Sequence, residues 1–83
     1  MVVKIFWEEN CTKCPHARRL GQQLQSMGHK VVFLNVKDQN GIDQAIYHDV
    51  LSTPSVVIAD TTNREIASWK SSTPRVDEVI KYL

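Results

Sequence analysis

Two cysteines, the only ones in the chain, stand at positions 11 and 14, just after an apolar run and just before a helical pattern. No other feature constrains the fold as much. A CxxC between a strand and a helix is the arrangement of a thiol–disulfide exchange site, and the rest of so short a chain has to fix those two sulfurs. A disulfide closing so small a loop restrains the unfolded chain very little, which weakens the reading of the pair as a structural staple. No signal peptide is read in the first residues, so the expected compartment is the cytoplasm, where a CxxC is redox-active or metal-binding rather than structural.

The pattern on either side of the cysteines predicts the elements. Val2–Trp7 is β-branched and aromatic and reads as a strand, with Glu8-Glu9-Asn10 as the turn out of it. Ala17, Leu20, Leu24 and Met27 recur at helical spacing, which predicts a helix from about Cys14 to Met27. Pro15 suits its first turn and Gly28 the position just past its end. Val31–Val36 is a near-continuous apolar run, the pattern of a strand covered on both faces in a parallel sheet. Ile42, Ala45, Ile46 and Val50 predict a second helix, with Asp38 and Asn40 as candidate caps. Ser55–Ala59 is a third strand, Asp60–Asn63 a turn, and Arg64–Trp69 an edge strand in hairpin with it. Thr73 as cap and Pro74 as first residue open a last helix, buried through Val76, Val79, Ile80 and Leu83. The predicted order is βαβαββα, with no repeat or linker, hence a single α/β domain over residues 1–83.

Composition excludes more than it assigns. A net charge of +1 with no long basic stripe argues against a nucleic-acid-binding protein. No run approaches the length of a transmembrane helix.

The chemistry centres on sulfur. Cys11, at or just before the first helix, lies near unpaired backbone N–H groups and the positive end of the helix dipole, which favour thiolate over thiol, and Lys13 adds a positive charge in the same direction. The thiolate is the attacking species in disulfide exchange. Cys14, inside the first turn and more shielded, is placed to resolve the mixed disulfide that Cys11 forms. Thr53-Pro54 ahead of the third strand reads either as a helix stop or as a cis proline facing the cysteines, and spacing alone does not choose.

Phe6-Trp7-Glu8-Glu9-Asn10-Cys11-Thr12-Lys13-Cys14 resembles the active-site segment of the thioredoxin family, roughly F-W-A-x-W-C-G-P-C. Leu34-Asn35-Val36 with Asp38-Gln39-Asn40, and Ser52-Thr53-Pro54-Ser55-Val56-Val57-Ile58, are similar to that family's second retained strand and its cis-proline loop. The resemblance covers nearly the whole chain and implies a minimal thioredoxin-like fold, a four-stranded mixed sheet flanked by three helices, without the extra N-terminal strand and helix of full thioredoxins. It also implies that Pro54 is cis, that the Thr53 backbone pairs with a bound substrate chain, and that Trp7 packs beneath the site. The implied activity is that of a monomeric protein disulfide reductase. It works through a reversible Cys11–Cys14 disulfide with no other cofactor, and a flavoprotein reductase of the thioredoxin type re-reduces it. The sequence departs from the family at Ile5, where thioredoxins carry a buried Asp, which leaves Glu8, Glu9 or water to take the proton of Cys14. It departs again at Asn10, in place of a tryptophan, and at Trp69-Lys70-Ser71-Ser72, where a glycine is expected.

Three alternatives stay open. One is a glutathione-dependent glutaredoxin, although the Gly-Gly and Asp of a glutathione site are absent. The second is a redoxin donating electrons to ribonucleotide reductase, suggested by Trp69–Arg75. The third is a metal- or iron–sulfur-binding CxxC module, with His16 as a further ligand. His16, His29 and His48 read first as surface residues, and Trp69 as packing.

Overall fold

The computed structural model describes residues 1–83. Its elements run β1 (Val2–Trp7), α1 (Cys14–Ser26), β2 (Val31–Asn35), α2 (Gln39–Tyr47), β3 (Ser55–Ala59), β4 (Glu65–Trp69) and α3 (Val76–Ile80). This is the predicted βαβαββα order, and the strands form one four-stranded mixed sheet ordered β2-β1-β3-β4. β1 runs parallel to β2, with Val3 opposite Val31 and Trp7 opposite Asn35. On its other edge β1 is antiparallel to β3, with Val3 opposite Ile58. β3 and β4 form the expected antiparallel hairpin.

Side chains alternate across a strand, so each central strand feeds two cores. Val3 and Ile5 of β1 and Val56 and Ile58 of β3 face Ala17, Leu20 and Leu24 of α1 and Val79 of α3. Phe6 and Val57 face the other way, with Leu34, Ala45 of α2 and Val50. Each fully buried Leu, Ile, Val or Phe contributes on the order of 1.5–3 kcal/mol. β1 and β3 therefore hold the molecule together from the middle.

Close packing dictates two glycines. A Cβ on Gly21 would meet the Phe33 ring at 2.6 Å, and one on Gly41 would lie 1.8 Å from the Asn35 carbonyl oxygen. Only glycine lets α1 and α2 approach the sheet so closely. Met27 caps α1, and Gly28 beyond it takes a φ of 91°, as its position suggested.

Several boundaries and burials differ from the sequence expectation. The run at 31–36 is an edge strand ending at Asn35, and only Leu34 in β2 is buried. α1 and α2 pack on β2, but its outer edge has no neighbouring strand. The second helix starts three residues earlier than its apolar stripe and ends at Tyr47, which leaves Ile46 70% exposed while Val50 packs from the loop beyond. Asp38 does occupy its N-cap, without a side-chain bond. The last helix starts at Val76 with Arg75 as its cap, so Thr73 and Pro74 lie ahead of it and Thr73 Oγ1 is buried without a partner. It stops at Ile80, and Ile80 and Leu83 are more than a third exposed.

His48 is the largest correction. Read as a surface residue, it is 3% exposed. It closes a polar cluster around Lys4, a β1 residue that points with Phe6 toward α2 and is 6% exposed. The Lys4 ammonium has three protons and finds three acceptors: Gln44 Oε1 at 2.6 Å, His48 Nε2 at 2.9 Å, and Asn63 Oδ1. Because His48 Nε2 accepts, its proton sits on Nδ1 and faces Glu65 Oε1 at 3.3 Å, and Lys70 lies 3.8 Å from the same carboxylate. A buried ammonium is tolerable only when hydrogen-bonded in this way. Burial lowers the pKa of Lys4. It lowers that of His48 too, helped by the Lys4 charge and opposed by Glu65.

Candidate functional site

Cys11 and Cys14 are joined in a disulfide, with Cα atoms 5.3 Å apart. β1 delivers the chain to the site, and the Glu8–Lys13 segment carries it into α1. Within that segment Asn10 takes a left-handed φ of 63°, a region that asparagine visits at lower cost than most residues. Asparagine at this position is thus a backbone requirement of the turn, a signal present in the sequence and legible only once the turn is seen. Cys14 is the first residue of α1, 5% exposed, and its N–H donates to the Cys11 carbonyl at 3.3 Å. Cys11 precedes the helix and is half-buried. The two sulfurs therefore differ in access in the sense expected from sequence.

The cystine lines a shallow depression with Trp7, Glu8, Glu9, Asn10, Pro15 and Arg18. Trp7, the last residue of β1, is half-buried and forms part of the wall rather than lying wholly beneath the site. The Arg18 guanidinium sits 4.5 Å from its ring centroid, in cation–π geometry. Lys13 occupies the N-cap of α1, exposed and without a side-chain cap bond.

Thr53-Pro54 is a cis peptide bond. Pro54 is buried and does not line the cystine depression. Thr53 reaches that depression indirectly, because its hydroxyl donates to Glu8 Oε1 at 2.9 Å. Glu8 Oε2 lies 3.5 Å from Lys37 Nζ, so this carboxylate ties the β1 exit, the β2 exit and the loop before β3 together. Sequence reasoning considered Glu8 only as a proton acceptor; its bridging role depends on a residue 45 positions away. On the far side of the loop, Ser71 stands where a glycine was expected and takes a φ of 64°. Its N–H donates to Ser55 Oγ at 3.0 Å, and Ser55 Oγ donates to the Ser52 carbonyl at 2.8 Å, which pins the loop to the end of β4.

Ile5, at the position of the family's buried acid, is wholly buried among apolar side chains of the α1 core. Nowhere do three or more His, Cys, Asp or Glu side chains gather as a metal would require. His16 faces Arg19 at 3.4 Å on the exposed side of α1. No helix is long and apolar enough to cross a membrane.

Comparison with known proteins places the architecture. No protein-family model matches the chain, and no curated protein matches it by sequence. Solved structures do. Thioredoxin 1 of Thermosipho africanus superposes with a TM-score of 0.76 at 19% identity, covering 99% of this chain and 89% of that one. Thioredoxin f2 of Chlamydomonas reinhardtii gives 0.69 at 16% identity, over 96% of this chain and 72% of that one. A thioredoxin-like protein of nearly the same extent gives 0.59 at 19% identity, over 98% of this chain and 99% of that one. The chain has the thioredoxin-like fold.

Proposed function

We propose that this protein is a thiol–disulfide oxidoreductase that reduces protein disulfides through Cys11 and Cys14. The observation that carries the reading is the asymmetric cystine at the start of α1, its first cysteine only half-buried and its second buried at the first helical residue. Cys11 precedes a 13-residue helix whose dipole favours an anion there, and Lys13 adds a positive charge to the same turn. The thiolate of reduced Cys11 attacks one sulfur of a substrate disulfide. That bond breaks, one substrate thiolate leaves and takes up a proton, and a mixed disulfide forms. Cys14 gives up its proton toward the depression, where Glu8 and Glu9 stand, and attacks the Cys11 sulfur. The Cys11–Cys14 bond forms as the second substrate thiol departs. Two electrons and two protons have moved to the substrate.

In this reading Trp7 faces the substrate as a wall of the depression and Thr53 through its backbone beside Glu8, while the buried cis Pro54 acts by setting the course of the Thr53 loop. A flavoprotein reductase of the thioredoxin type returns the two electrons, no further cofactor takes part, and the working unit is a monomer in the cytoplasm. Cys11→Ser is expected to lower insulin-disulfide reduction to the uncatalysed background, and full activity in that variant would overturn the reading. NADPH with thioredoxin reductase, set against glutathione, identifies the reductant when both are given the same oxidised protein.

A further inference from the structure

Net charge conceals how the charges are placed. From Asn10 to Lys37 the chain has five Lys and Arg and no acidic residue; from Asp38 to Asn63 it has four Asp and no Lys, Arg or Glu. The first stretch contains α1 and the second α2, which cover opposite faces of the sheet. Along these two stretches the α1 side is thus the cationic one, and the cystine opens beside it, with Glu8 and Glu9 also on its rim.

Most of the cations there have no carboxylate partner. The five ion pairs of the molecule involve neither Lys13, Arg18 nor Arg19. Arg18 lies over Trp7 on the wall of the cystine depression. Arg19 and His16 share a second depression with Arg75, from the turn before α3. A cationic surface runs from Arg18 along α1 to the start of α3, where Asp77 pairs with Arg75 at 3.2 Å; at the cystine itself Glu8 and Glu9 share the depression, Glu8 engaged by Thr53 and Lys37.

We infer that this surface docks an acidic segment of the partner protein, Asp or Glu side chains flanking the sulfur that exchanges with Cys11. The inference rests on the oxidoreductase reading and adds the partner's charge to it. Complementary potentials raise association rates about tenfold or more at low ionic strength, and salt removes the gain. A nucleic acid would satisfy the same cations, but it offers no sulfur to the cystine they surround.

The test follows the reduced, intact protein as it reacts with three disulfides: a cyclic peptide flanked by Asp and Glu, the same peptide flanked by Lys, and neutral hydroxyethyl disulfide. The acidic peptide is expected to react about tenfold faster than the basic one near 0.01 M salt. That advantage should shrink severalfold near 0.5 M, where screening acts within a few Å. The double variant Arg19→Glu/Arg75→Glu should lose the preference and keep its rate with the neutral disulfide. The salt series on the unaltered protein carries the test if that variant does not fold. Equal rates for the two peptides at low salt would overturn the docking inference and leave the oxidoreductase reading standing. Inhibition by a single-stranded oligonucleotide matching that by a sulfur-free acidic peptide would also overturn it. No exchange with any of the three disulfides would remove both.

Discussion

The two faces of the sheet solve different problems. Under α1 the core is wholly apolar, with Val3, Ile5, Leu24, Val56, Ile58 and Val79 fully buried, and the cystine sits at its end. Under α2 the core is smaller, and beside it a lysine, a glutamine, a histidine and an asparagine form a hydrogen-bonded cluster bounded by Glu65. The difference shows that the apolar face is held by shape, whereas the polar face is held by matching donors to acceptors. The two cystine sulfurs lie at the end of the wholly apolar face.

Removing one member of the polar cluster should separate the two faces most clearly. His48→Ala leaves Lys4 short of an acceptor and opens a cavity, and is expected to cost about 2–4 kcal/mol in urea unfolding. Cystine reduction by dithiothreitol should proceed unchanged, since His48 lies under α2. A cost below about 1 kcal/mol would show that water replaces the imidazole. The glycines come next. Gly41→Ala drives a Cβ into a backbone carbonyl that has no room to yield, and should cost about 3 kcal/mol. Gly21→Ala meets the Phe33 ring of an edge strand, which can turn aside, and comes within 3.2 Å of Ile5 Cγ1, and should cost about 1–2 kcal/mol.

The smallest effect is a pH slope. The pKa of folded His48 lies below its unfolded value, so the unfolded chain takes up the proton first as pH falls. Stability from this residue is full above the ordinary histidine value near 6.5 and declines as pH drops through the lowered one. Lys4 acts at the other end. Its lowered pKa gives a cost that is present at neutral pH and fades as pH rises toward 10.5. Replacing His48 with Gln should flatten the acidic slope in denaturation measured between pH 7 and 5, and an unchanged slope would assign it to other groups.

The same contrast explains what was legible in the sequence. The α1 face was: Val3, Ile5, Ala17, Leu20 and Leu24 follow strand and helix periods, and the CxxC marks where one period gives way to the other. The polar cluster was not, because Lys4 and His48 are 44 positions apart and each has an innocent surface reading alone. A lysine inside an otherwise buried strand was the available signal. The Thr-Pro signature at the last helix misled by two residues, because Pro74 is buried and Ser71 already turns the chain. The edge position of β2 is a matter of strand order, to which a continuous apolar run is blind.

β1 occupies an interior place in the sheet, bonded along both edges, and the cystine segment begins where it ends. Amide hydrogens of such a strand exchange with solvent only when the whole domain opens. In the proposed reaction, a sulfur–sulfur bond made or broken at its tip would work against a fixed abutment, with the short turn from Glu8 to Lys13 left to take up any change.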